Sequence, residues 1–173
     1  MKSRVFDQGG YAILCRDQAR LYLRYPRFRF RPSHADALHV DLWIGSRNLL
    51  RDGGSFSYAD EQWSGYFRGT ASHNTVQFDG RDQMPRIGRF LFGEWVRSQH
   101  VGQLEETGDH ACFSAGYRDW LGAQHKRHVD LSTGRLRVVD RVEGFKSSAV
   151  LRWRMAPDEW RLDGHTLSSQ DVR

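Results

Sequence analysis

The chain has 173 residues, the length of one domain with a core of its own, and its 39% hydrophobic and 13% aromatic content excludes an intrinsically disordered chain. A formal net charge of +5, carried mostly by arginine, favours an anionic partner, although an arginine-rich surface without a function explains the charge equally well. No helix-turn-helix, zinc-finger spacing or RNA-binding motif points to nucleic acid, and no apolar segment has the length of a membrane span.

The first elements are short strands. Residues 11–15 and 20–24 read as a hairpin, and residues 24–31, where arginines alternate with aromatic residues, read as an edge strand. The two cysteines, Cys15 and Cys112, are far apart and lack metal-type spacing. We expect two buried free thiols, with a disulfide as the alternative.

Residues 34–44 predict a longer strand, because Leu38, Val40, Leu42 and Ile44 alternate with more polar residues. His34 and Asp36 share the parity of the apolar set, so we expect both side chains to point towards the core. Burying them without partners would cost several kcal/mol, on the order of the penalty for unpaired polar groups.

Two more strands are predicted at residues 48–51 and 73–78, so that three strand ends offer His34, Asp52 and His73. Two imidazoles and a carboxylate suit zinc and leave one tetrahedral position for another ligand. Roles on the surface or in a hydrogen-bonded core remain the alternative for residues spread over forty positions.

Residues 53–72 show no clear period and are predicted to form a long loop, which is usually a functional feature in a compact domain. Its side chains Tyr58, Trp63, Tyr66, Phe67 and Arg68 suit stacking on sugar rings and binding an acidic group. The alternative is that the aromatic residues pack the loop onto the sheet.

The remainder of the chain repeats strand signals without a helical period. Turns are predicted at residues 132–134 and 163–164. The predicted strands are residues 89–96, 111–117, 124–131, 136–142, 149–153 and 160–162. The sequence therefore predicts one all-β domain over residues 1–173, an antiparallel β-sandwich of roughly ten or more strands.

Three motifs resemble the heparinase II/III-like polysaccharide lyases, a family that includes heparin, heparan sulfate and alginate lyases. The chain reads P-S-H-A-D-A-L, D-G-G-S-F-S-Y and H-N-T-V-Q-F-D-G-R-D-Q. The family patterns are close to H-x-H-A-D-x-L, D-P-G-x-x-x-Y and H-N-T-V-x-x-D-G-x-D-Q. Pro32 stands where many members have an active-site histidine near the uronate, and Gly53 replaces a proline.

The resemblance implies the C-terminal β-domain of a lyase that cleaves acidic polysaccharide by β-elimination. The family's N-terminal (α/α) toroid is absent from this sequence, so we expect a domain truncated at both ends and inactive alone. The resemblance implies a structural zinc ion bound by His34, Asp52 and His73. Tyr58, which matches the motif, is the preferred catalytic residue and Tyr66 the alternative. The residues expected to bind anionic sugar are Arg68, Asn74 and Arg81.

Two other functions stay open. Pro32 and the missing toroid favour a carbohydrate-binding β-sandwich without catalysis, and an open zinc position would suit a metal-dependent glycan hydrolase. The polysaccharide is also open: heparan sulfate, alginate or a bacterial exopolysaccharide presents similar carboxylates. We expect the natural full-length protein to be periplasmic or secreted, with a cytoplasmic location as the alternative, although residues 1–4 begin no signal-peptide pattern.

Overall fold

The computed structural model describes residues 2–57 and 59–169, and every strand pairing in them is antiparallel. The strands and the one α-helix of these residues are, in chain order, β1 (Arg4–Phe6), β2 (Tyr11–Arg16), β3 (Ala19–Arg24), β4 (Val40–Ile44), β5 (Arg47–Leu50), α1 (Glu61–Arg68), β6 (Val76–Phe78), β7 (Arg86–Gly88), β8 (Leu91–Phe92), β9 (Arg97–Gln99), β10 (Glu105–Thr107), β11 (His110–Arg118), β12 (Gln124–Ser132), β13 (Arg135–Glu143), β14 (Ala149–Leu151), β15 (Arg161–Asp163) and β16 (Thr166–Ser168). Two 3-10 turns lie at Asp7–Gly9 and Thr70–Ser72.

Two sheets form the sandwich. The first has the strand order β1-β2-β3-β4-β5, and the second has the order β10-β11-β12-β13 with β9 paired to β11. The inner faces share one core, in which the rings of Tyr25 and Phe113 lie 5.4 Å apart. Burial alternates at every residue of β12, as expected for a strand with one face on the core. The predicted all-β antiparallel sandwich is confirmed.

Several predicted elements are confirmed within one or two residues, including the first hairpin, β11, β12 and β13. The predicted turns join β12 to β13 and β15 to β16. Both cysteines are free thiols, Cys15 buried and Cys112 half-buried. Among residues 2–57 and 59–169, no helix has the length and hydropathy of a membrane span.

The prediction of a strand from residue 34 is wrong, because β4 begins only at Val40. Leu38 has a φ of +60°, and His39 N–H donates to the Asp36 carbonyl in a turn (3.0 Å), so residues 34–39 cannot alternate like a strand. Similarly, β6 begins at Val76 rather than residue 73. The predicted edge strand at 24–31 is also wrong: β3 ends at Arg24, shortly before Pro26, which lacks a ladder donor.

The prediction that residues 53–72 lack regular structure is wrong, because they contain α1. The Asp60 side chain accepts a hydrogen bond from Trp63 N (2.9 Å), which caps the first turn. Trp63, Tyr66 and Phe67 have the spacing of one helix face, a signal too short to stand out from the loop. The predicted strand at 89–96 is replaced by the short hairpin of β7 and β8.

Candidate metal centre and cleft

The structure brings together the three residues predicted to bind zinc. One ligand atom each of His34, Asp52 and His73 lies within 4.8 Å of the others. His73 has no exposed surface, and its Nδ1 lies 2.8 Å from Asp52 Oδ2. The His34 and His73 rings are 5.3 Å apart. The three predicted ligands therefore form one cluster, although the strand that was expected to carry His34 does not extend to it.

Electrostatics keep this cluster in the form that binds cations. Burial opposes the charge on Asp52, but hydrogen bonds from His73 and from Gly54 N–H (2.6 Å) outweigh it and lower the pKa of Asp52 to about 2. Burial lowers the pKa of His34, which favours the neutral imidazole. An ionised Asp52 beside a neutral His34 imidazole is the protonation state that a metal ion requires of these two residues.

The buried atoms of the cluster fit a zinc ion. His73 Nε2 is buried and has no hydrogen-bond partner among residues 2–57 and 59–169. An unpaired buried imidazole nitrogen together with a second imidazole and a carboxylate is a donor set that zinc accepts.

Polar contacts from the third motif hold the backbone beside His34. Gln83 forms two hydrogen bonds with the backbone of Ala37, accepting from its N–H (2.9 Å) and donating to its carbonyl (3.0 Å). The Thr75 hydroxyl donates to the same carbonyl (2.7 Å). These contacts replace strand pairing and explain how an irregular segment keeps His34 in a fixed position.

A buried arginine links the segments that follow His34 and His73 to the second sheet. Arg127 Nη1 donates to the carbonyls of Leu38 and Asn74 (2.6 Å each), while its Nε and Nη2 bind the Asp140 carboxylate (2.7 and 2.9 Å). His125 Nε2 lies 2.7 Å from the same carboxylate. This network was not predicted from the sequence, although His125 and Arg127 share the parity of the buried apolar residues of β12.

His39 was not predicted as a site residue either, because the alternation of residues 37–44 placed it among the polar residues. His39 is 7% exposed. Its Nδ1 accepts a hydrogen bond from Asn74 N–H (2.9 Å), and its Nε2 lies 3.8 Å from Asp52 Oδ2. Burial, followed by the proximity of His73, lowers the pKa of His39 to about 3, so the ring is neutral.

A cleft with two lobes adjoins the cluster. The first lobe, about 430 Å³, lies on the outer face of the first sheet, and the second, about 330 Å³, lies beside α1. Ser33 and His34 line both lobes, so the predicted metal centre stands where they meet. Aromatic side chains that suit sugar stacking are present in each, Tyr22 and Trp43 in the first and Phe56 and Phe67 in the second.

Of the two predicted catalytic residues, Tyr58 lies outside the described residues and Tyr66 lies on the exposed side of α1. The Tyr66 hydroxyl accepts a hydrogen bond from Arg154 Nη1 (2.9 Å), and the Arg154 guanidinium lies 5.9 Å from the centre of the tyrosine ring. The backbone N–H of Arg154 donates to Asn74 Oδ1. Arg154, which the sequence analysis did not single out, therefore joins Tyr66 to the segment that follows His73.

The residues predicted to bind sugar make mainly internal contacts. Arg68 lines the second lobe but is 7% exposed and donates to the carbonyls of Ser33 (2.9 Å) and Arg89. Asn74 has no exposed surface, and Arg81 forms an ion pair with Asp119 (2.7 Å). These contacts give all three a role in holding the fold, and their binding of sugar stays a prediction.

The comparisons with known proteins agree with this fold and these motifs. The heparinase II/III-like family matches over residues 1–171 with its C-terminal domain, and the chain therefore belongs to that family. A solved structure titled heparinase III, the BT4657 gene product, is similar with a TM-score of 0.77 and 21% identity, over 93% of this chain and 25% of that one.

Heparan sulfate lyase HepC from Pedobacter heparinus is similar with a TM-score of 0.72 and 18% identity, over 94% of this chain and 26% of that one. A HepC mutant gives a TM-score of 0.74 at 17% identity over the same shares of the two chains. The chain thus spans about a quarter of the length of these solved proteins. No curated protein sequence matches.

Proposed function

We propose that this domain is part of a polysaccharide lyase that cleaves uronic-acid-containing polysaccharide by β-elimination, with a structural zinc ion at His34, Asp52 and His73. The observation that carries the proposal is the cluster of these three residues, of which His34 lines both aromatic-lined lobes of the cleft and Asp52 lines the first. Membership of a family that includes heparinase III-like proteins supports the reaction class.

The reaction sets three demands on the site. The uronate carboxylate must be neutralised, a base must remove the proton at C5, and an acid must protonate the leaving 4-oxygen. In our proposal Tyr58 transfers the proton, and Tyr66, whose hydroxyl is held by Arg154, is the alternative. The groups that neutralise the carboxylate are assigned to a helical domain like the toroid of the family.

The metal has a structural role in this proposal. A bound zinc ion would supply a fixed positive charge and join the segments that carry its three ligands.

The positive charge of the zinc ion would also offset negative charge in the first lobe, where an acidic substrate would bind. Arg24 pairs with Asp36 (3.0 Å), and the carboxylates of Asp41 and Asp52 line the same lobe without an ion pair to an arginine or lysine among the described residues. A polyanion would bind poorly there unless a cation offset them.

One observation favours a binding function without catalysis. Pro32 lines the second lobe, at the position where the family pattern has a histidine. A proline side chain cannot transfer a proton or donate a hydrogen bond to a uronate. If the helical domain does not compensate for this loss, the cleft would hold acidic sugar without cleaving it.

An elimination assay tests the proposal. The protein joined to a helical toroid domain is incubated with heparan sulfate, alginate and hyaluronan, and the unsaturated uronate is followed by its ultraviolet absorbance. We expect product with at least one substrate and none from the 173-residue chain alone, since one lost oxyanion-type contact costs about 10²–10³ in rate. Cleavage that leaves saturated ends would identify a hydrolase, and binding without cleavage would support the non-catalytic alternative.

Two variants assign the proton transfer in the same assay. Tyr58→Phe should lower kcat strongly with little change in KM, whereas Tyr66→Phe should leave most of the activity. A kcat loss confined to Tyr66→Phe would reverse the assignment.

A further inference from the structure

His39 lies beside the three predicted ligands but outside the motif positions that suggested them. We infer that His39 is a positioning residue of the metal centre, whose Nε2–H directs the Asp52 carboxylate and whose ring is not itself a ligand. The inference rests on the proposed zinc site. His39 is the histidine beside the cluster that the family patterns do not specify.

The hydrogen bond to Nδ1 fixes the tautomer of His39. Asn74 N–H donates to Nδ1 at 2.9 Å, so that nitrogen uses its lone pair as an acceptor. In a neutral imidazole the hydrogen must then be on Nε2. A ring nitrogen that carries a hydrogen has no lone pair to offer a metal ion. Because Asn74 N–H occupies Nδ1 and Nε2 carries the hydrogen, neither nitrogen of His39 is free to bind the metal.

The position of Nε2 shows what this hydrogen can do. Nε2 is buried and has no hydrogen-bond partner among residues 2–57 and 59–169, and Asp52 Oδ2 lies 3.8 Å away. The same oxygen is 2.8 Å from His73 Nδ1, while Asp52 Oδ1 accepts from Gly54 N–H at 2.6 Å. Two contacts therefore already hold the Asp52 carboxylate, and the unpartnered Nε2–H of His39 lies beside the same oxygen, where a small shift of the carboxylate would bring the two within hydrogen-bond range.

Two variants separate the two nitrogens of His39. In His39→Asn the side-chain oxygen can replace Nδ1 as the acceptor for Asn74 N–H, but nothing replaces Nε2. In His39→Gln the amide nitrogen can replace Nε2–H, but the acceptor for Asn74 N–H is lost. A residue that only supports the fold would change stability and metal affinity in the same direction in both variants.

The experiment measures zinc affinity of the purified chain by competition with a chelator, and thermal unfolding without metal. We expect His39→Asn to bind zinc about 10–100-fold more weakly, as is typical when a contact to a metal ligand is lost. We expect His39→Gln to bind zinc nearly as well as the unchanged chain although it unfolds at a lower temperature. Co²⁺ bound in place of zinc should give the same absorption spectrum in His39→Gln and the unchanged chain.

Three results would overturn the inference. Unchanged zinc affinity in both variants would show that Nε2 does not position Asp52. Loss of zinc in both variants with an altered cobalt spectrum would make His39 a ligand. Zinc binding by the unchanged chain is measured first. If that chain binds no zinc, the proposed metal centre is wrong, and the inference about His39 is wrong with it.

Discussion

At the residue scale, Gly53 explains how Asp52 can lie so close to His73. A Cβ at residue 53 would be 2.8 Å from the Ser72 carbonyl oxygen and 3.1 Å from Ser72 Cβ, closer than packed atoms allow. The missing side chain therefore lets the backbone after Asp52 lie against the residue before His73.

Gly53→Ala should push the two segments apart. We expect a loss of about 1–3 kcal/mol in the free energy of unfolding, as for overpacking of a core, together with weaker zinc binding. Urea unfolding and chelator competition measure the two effects. The control is Gly54→Asn, because a Cβ at residue 54 meets nothing within 4 Å and asparagine tolerates its φ of +78°. Equal behaviour of the two variants would contradict the account.

Some residues of the site could be predicted from the sequence and others could not. His34, Asp52 and His73 were found because each stands in a motif. His39 and Arg154 act through contacts to the backbone or to a neighbour's side chain, which no local pattern encodes. The same is true of the Arg127 contacts with residues 38 and 74.

At the element scale, α1 carries Tyr66 and contributes Phe67 and Arg68 to the second lobe, and its first turn depends on Asp60. Asp60→Ala should lower the free energy of unfolding by about 0.5–2 kcal/mol, the usual cost of losing an N-cap. Amide hydrogen exchange over residues 61–68 should accelerate, while zinc content stays unchanged. The control is Glu61→Ala, an exposed position without the cap contact. Exchange that accelerates equally in both variants would exclude a capping role for Asp60.

Strands β12 and β13 face each other through an ion pair between the buried Arg127 and the largely buried Asp140. Arg127→Met leaves the Asp140 carboxylate buried with one partner fewer, and we expect a loss of about 3–5 kcal/mol in the free energy of unfolding. The double variant Arg127→Met/Asp140→Leu should recover part of that loss, because no charge is then left unpaired. Lys126→Met on the outer face of β12 is the control. A double variant less stable than Arg127→Met would contradict this explanation.

The elements differ in how well the sequence predicts them. Strict alternation with the core on one side identified β11, β12 and β13 almost to the residue. The segments around the site were predicted poorly, because 34–39 is held by the side chains of Gln83 and Thr75 rather than by a neighbouring strand. Tertiary hydrogen bonds of this kind override a period-two pattern.

For the whole molecule, the buried histidine between the sheets predicts how stability depends on pH. Burial lowers the pKa of His125, and the hydrogen bond to Asp140 opposes that shift only in part. The unfolded chain, whose histidines titrate near about 6.5, therefore binds more protons than the folded one below that pH. Stability should fall as the pH drops below about 6.5.

The His125→Gln variant, which cannot titrate, should lose part of this dependence. Unfolding is measured with a chelator present, so that only the metal-free protein is compared. The slope of unfolding free energy against pH should decrease by at most about 1.4 kcal/mol per pH unit, the limit for one group. The neutral control is Gln124→Asn on the same strand. A slope unchanged in His125→Gln would show that this histidine does not couple folding to protons.

Metal analysis of the purified chain is the most direct test of the cluster formed by His34, Asp52 and His73. We predict about one zinc ion per chain, as a single His, His and Asp site would hold. His34→Ala and His73→Ala should each lose the zinc, whereas His165→Ala, at the exposed turn between β15 and β16, should keep it. Full zinc occupancy in both cluster variants, or no zinc in the unchanged chain, would contradict the proposed metal centre.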